Sequence, residues 1–206
     1  MNVDAIQNTF DLNKTRVESL VALYDKQAGK GKGRRKTKDS DLLRASVIFL
    51  HASLEEVLRG VALLTWHQST KATLDDVPLF GSNPPARASK FFLGELVSFR
   101  GRSVDDLLRD SVAAYVGAHF NCNDTGQLAG ALTRGGVVLT NAEKASFSVL
   151  ETMMKRRHLI VHQADRNASL GKGQHRARSI SAPLVKSWVA AVEAVVSAIL
   201  TKVAAM

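Results

Sequence analysis

Apolar residues Val3, Ile6, Phe10, Val17, Leu20 and Tyr24 recur at steps of three, four and seven, which predicts a helix with one buried face over residues 3–26. Residues 27–38, QAGKGKGRRKTK, hold no apolar side chain beyond Ala28 and predict a basic loop within the domain. Asp39, Ser40 and Asp41 offer caps to the stretch that follows, which is apolar nearly all round, lacks proline and predicts a central buried helix up to Trp66. Residues 68–103 carry three of the four prolines and no sustained period, so an irregular insertion is expected there, with Phe91, Phe92 and Leu93 forming a short packed element.

Ser103 followed three residues later by Asp106 resembles a capping box and opens a helix expected to end near Phe120. A short helix is expected over Gln127–Thr133, closed by Gly135-Gly136, and a longer one from Thr140 or Asn141 through His162. Residues 166–180 form a second basic loop. From Pro183, the positions Val185, Val189, Val192, Val196, Ile199 and Val203 mark a last amphipathic helix. No strand alternation and no repeat appear. The expected fold is all-α: a single domain over residues 1–206, with about four principal helices, the irregular insertion and small extra helices.

Composition narrows the class. With 45% hydrophobic and 23% charged residues, the chain is neither collagen-like nor disordered. A net charge of +9 and a pI near 9.9 make a polyanion the natural partner. Cys122 is the single cysteine, which excludes an internal disulfide and suits a reducing cytoplasm. The N-terminal MNVDAIQNTF lacks a signal pattern, and the apolar run Trp188–Leu200 is short for a bilayer and contains Glu193, so a cytoplasmic protein with no membrane partner is expected.

The stretch MMKRRHLIVHQADRN (153–167) breaks the helix pattern with charge. At roughly 100° per residue, Arg157 falls in the same stripe as Phe147, Leu150, Met154 and Val161. A guanidinium on a buried face needs an anion, carbonyls or an interface, because an unpaired buried charge is costly. A core acid such as Glu55 or Glu56 would serve as a purely structural partner. His158, His162 and Asp165 are spaced by four and three, so they are expected to meet.

Arg157-His158-Leu159-Ile160-Val161-His162 resembles the R-x4–6-H motif of the HEPN (higher eukaryotes and prokaryotes nucleotide-binding) superfamily, and RRHLIVHQADRN is similar to its RiboL-PSP-type branch. FLHASLEEVLRG (49–60) and HFNCNDTGQLAGALTRGGV (119–137) agree with that branch, so the resemblance covers most of residues 40–205. It implies an all-α bundle that homodimerises, joining two motifs in one composite cleft, and an endoribonuclease of toxin or defence type that needs no metal or other cofactor. An antitoxin or regulatory protein is the further partner that such a role implies. RNA cleavage of this kind requires proton transfer and charge stabilisation at phosphorus. Histidine and arginine suit those tasks. On that reading His162 is the general acid or base, Arg157 the phosphate clamp, and His158 an orienting or second proton-transfer group.

Arg157 and His162 lie roughly 140° apart on an ideal helix, so either the helix breaks before His162 or the two serve different sides of a dimer cleft. Glu55 pairs with Arg59 one turn on, or else orients Arg157 or His162 as a supporting acid, the role also considered for Asp165. Arg156, Arg166, Lys30, Lys32, Arg34, Arg35 and Lys36 are either solvated charges or sequence-independent contacts to an RNA backbone. His158 and His162 could pair on a metal with His119 and Cys122, but the HLIVH core lacks a glutamate and the ligands are scattered, so no metal is expected. Neither Gly-Lys stretch fits a nucleotide-binding loop. The competing function class is a non-catalytic module that binds RNA, a nucleotide or a protein.

Overall fold

The computed structural model of the chain describes residues 2–28, 37–81, 93–166 and 177–206. Its regular structure is helical: α1 (Val3–Ala28), α2 (Thr37–Thr65), α3 (Lys71–Leu74), α4 (Val104–His119), α5 (Thr125–Arg134), α6 (Phe147–Gln163) and α7 (Ala182–Ala204). The fold class is therefore all-α. Four of these helices, α1, α2, α6 and α7, make a bundle in which α2 touches the other three. The periodic stripes account for this. Ile6, Phe10, Val17 and Tyr24 of α1, and all six predicted positions of α7, are buried in one shared core. By length and composition α7 could cross a membrane, and its apolar stripe packs against α1, α2 and α6.

Helices α4 and α5 rest on α2, where Trp66, Val112 and Val116 form a smaller cluster. Ser103 caps α4 by accepting from the Asp106 amide, and Asp124 caps α5 by accepting from the Gln127 amide. At the other end of α5, Gly135 is required by proximity: a Cβ there would collide with the Thr65 side chain. The insertion contains 3₁₀ turns at Trp66–Gln68 and Leu93–Phe99, with the short α3 between them; Phe91 and Phe92 lie outside the described residues.

Helix α6 starts later than the pattern suggests. Thr140 and Glu143 bond reciprocally, the carboxylate accepting from the Thr140 amide and hydroxyl, and this closes a separate turn before the helix begins at Phe147. At the far end, Ala164 and Asp165 both adopt positive φ, 49° and 53°, and turn the chain out of the helix. Asp165 is thereby carried into the interior, where it is fully buried.

Two arginines meet it there. Asp165 Oδ2 accepts from Arg44 Nε of α2 and Arg156 Nη2 of α6, each at 2.8 Å. Arg44 Nη2 also donates to the Arg178 carbonyl at 2.8 Å, as does Arg156 Nη2 at 3.0 Å, and the Arg178 amide donates back to the Asp165 carbonyl. This cluster ties the start of α2, the end of α6 and the segment leading into α7. Since Arg44 near the start of α2 meets Asp165 just past α6, the two helices run antiparallel. Arg156, considered above as a solvated or RNA-contacting charge, is turned inward instead, because the departing chain places a buried carboxylate beside it. Asp165, expected to meet His158 and His162, is held by the arginines and bonds neither histidine.

Removing one member of a buried ion cluster leaves charge uncompensated, at about 3–5 kcal/mol. Asp165→Ala is expected to lower unfolding stability by about that amount in urea titrations, and a loss below about 1 kcal/mol would show the cluster to be no more than a surface-like pair.

Candidate functional site

Arg157 sits one residue from the cluster yet faces a different environment. Its Nη1 donates to Asn123 Oδ1 at 3.4 Å, across the connection between α4 and α5. Its charge also acts on His51 and Glu55 of α2. No carboxylate of the described residues forms an ion pair with it, so the core-acid pairing with Glu55 or Glu56 is absent. Arg157 is half-buried.

Glu55 lies between an arginine and a histidine. Oε1 is 3.6 Å from Arg59 Nη2, and Oε2 is 3.8 Å from His51 Nδ1. Partial burial raises its pKa above the ordinary carboxylate value, while the Arg59 and Arg157 charges hold it down. The intrahelical pair with Arg59 is therefore present, and Arg157 shares the same acid at longer range. Arg59 also donates to the Val116 and Phe120 carbonyls, each at 3.4 Å, and so anchors the end of α4.

His51 is buried, its Nε2 donating to the Cys122 carbonyl at 2.9 Å. Burial, reinforced by the Arg157 charge, lowers its pKa from 6.5 to about 4, so it is neutral at pH 7. The Cys122 thiol is pushed up to about 12, first by burial and then by the Glu55 and Asp124 charges. His51 and Asn123 are the residues that sequence spacing alone did not tie to Arg157. They come from α2 and from the α4–α5 connection, which only the tertiary packing brings near α6.

His158 and His162 are exposed on α6, their rings 4.6 Å apart between centroids. The helix is continuous through His162, so the break that would have turned this histidine toward Arg157 is absent. Arg157 and His162 stay on different sides of α6, and one copy brings His158 and His162 together without bringing either to Glu55. Arg166 is exposed beside an isolated bridge to Ala177. Lys30, Lys32, Arg34, Arg35 and Lys36 lie outside the described residues. His119 packs on Tyr115 while Cys122 is buried, and no group of three or more metal-ligating side chains occurs among the described residues.

Comparison with protein-family models, with curated proteins and with solved structures found no match in any of the three.

Two outcomes follow. In the unfolded chain His51 takes a proton near pH 6.5, but in the fold only near 4. Its contribution to stability is thus complete above pH 6.5, shrinks as the pH falls and is gone below about 4, on the order of 3 kcal/mol in all. His51→Gln should flatten that part of the stability profile in urea unfolding at stepped pH; an unchanged slope would show that another group causes it. Cys122 should resist a thiol reagent in the native protein and react once the chain is unfolded.

Proposed function

We propose that the chain is a HEPN-like endoribonuclease that cleaves RNA without a metal ion, working as a homodimer in a toxin or defence role in the cytoplasm. The observation that carries this reading is the contrast between adjacent arginines. Arg156 is engaged by a buried carboxylate and two backbone carbonyls, whereas Arg157 has, among the described residues, one long bond to an amide oxygen. A guanidinium so placed can fork onto phosphate oxygens. On the same helix, His158 and His162 expose their imidazoles.

In the reaction, the RNA 2′-oxygen attacks the adjacent phosphorus as a base accepts its proton, and the bond to the 5′-oxygen breaks as an acid protonates that oxygen. The products are a 2′,3′-cyclic phosphate and a free 5′-hydroxyl. His162 is the proton-transfer group, His158 assists it, and Arg157 stabilises charge at phosphorus. Glu55 holds the Arg157 side of the site. Because Arg157 and His162 occupy different sides of one helix, the complete site draws on two copies. Net charge and the exposed Arg166 favour a polyanionic substrate.

Incubation of the purified protein with a mixed RNA pool in EDTA, followed by end analysis, tests this. Cuts ending in 2′,3′-cyclic phosphate are expected, slowed about 10²–10⁴-fold by His162→Ala and about 10²–10³-fold by Arg157→Ala. Arg157→Ala should leave urea stability nearly unchanged, whereas Arg156→Ala should lower it. A folded dimer that binds RNA and cuts at no pH would replace the enzyme with a binding module.

A further inference from the structure

Six histidines occur in the chain, and those in the described residues differ in what their rings touch. His51 bonds the Cys122 carbonyl, His67 bonds the Leu63 carbonyl and Gln68, and His119 packs on Tyr115. His158 and His162 differ in that each has another imidazole as its neighbour. Both are exposed, and among the described residues the only recorded contact of either ring is the other ring. Their nitrogen lone pairs therefore meet no donor among the described residues, and their i, i+4 spacing puts both on one face of a continuous helix.

We propose that His158 and His162 form a two-imidazole site for a divalent first-row transition ion, and that occupancy of this site switches the protein off. Ions of this class bond imidazole nitrogen at about 2.0–2.1 Å. One ion shared by two rings thus holds their nitrogens on the order of 3 Å apart, which rings with centroids at 4.6 Å reach by side-chain rotation. Each neutral imidazole supplies one lone pair and displaces one water from the ion, with no change of oxidation state. Protons compete for the same lone pairs, so binding weakens as the pH falls. Nearby Lys155, Arg156 and Arg157 oppose a cation, and two ligands are fewer than a closed structural site uses, so the site is weaker than a four-ligand zinc centre. Ligand softness selects copper, nickel and zinc and passes over magnesium and calcium.

The binding stands on geometry alone; the switching rests on the proposed ribonuclease, since an imidazole bonded to a metal cannot carry the proton that cleavage moves. The test uses the full untagged chain. Calorimetric titration with nickel chloride is expected to show one ion per chain and no heat with magnesium chloride. His158→Ala and His162→Ala should each weaken nickel binding at least about tenfold, the range lost even when a group merely supporting a metal ligand is removed. His119→Ala should leave it unchanged, and circular dichroism would confirm that all three variants are folded. Nickel bound equally well by the wild type and both α6 variants, or not at all, overturns the site. Zinc chloride added to the RNA assay should stop cleavage, and EDTA should restore it. If nickel binds as expected but RNA is never cut, the site stands and the ribonuclease reading falls. Cleavage that continues with zinc bound overturns the switch.

Discussion

The architecture around α6 depends on one buried carboxylate. Asp165 is fully enclosed, and an isolated charge in that position would cost several kcal/mol in desolvation. Two guanidinium groups from different helices offset this, and their remaining donors reach backbone carbonyls at Arg178 and Ser179. The compensation is incomplete: Asp165 Oδ1 and Arg156 Nε have no hydrogen-bond partner among the described residues. Such an arrangement contributes specificity more than net stability, because an alternative packing that separates the three charges leaves at least one of them buried alone. It fixes the register of α2 against α6, and with it the distance of Arg157 from His51 and Glu55.

Much of the bundle could be read from periodicity. Burial along α7 follows the predicted positions, and the α4 cap and the end of α5 occur where Ser103 and the paired glycines suggest. These are local features: a stripe or a cap is encoded within a few residues. The charged cluster is not. Helical spacing assigned Arg157 to the apolar stripe and left Arg156 outside, but it carries no information about a carboxylate that leaves the helix in a left-handed turn. Arg44 does carry a local signal: it is a lone cation in the otherwise apolar LLRASV segment, the same anomaly that marks Arg157 on α6. The start of α6 shifted because Thr140 has a closer use for its capping groups in the turn with Glu143.

At the Arg157 side of the site, desolvation and charge work in opposite directions on neighbouring groups. Burial favours the neutral forms of both His51 and Glu55. The Arg157 charge reinforces neutrality in the histidine and opposes it in the glutamate. The outcome is a neutral imidazole whose Nε2 proton is committed to a carbonyl, beside an acid whose pKa stays above the ordinary carboxylate value because burial outweighs the pull of two arginines. His51 is consequently a poor proton donor or acceptor near neutral pH, and the histidines exposed together on one helix face are the pair on α6.

That division bears on how a site could be completed. A continuous helix through His162 keeps the guanidinium and the proposed proton-transfer group on different sides, and the Asp165 cluster prevents the end of α6 from unwinding to reunite them. Movement within one chain would have to break two buried ion contacts, whereas apposition of a second chain breaks none. Val161, about half exposed between the two histidines, would gain burial in that contact. If RNA is cut here, the rigidity that secures the fold is also what makes the second copy necessary.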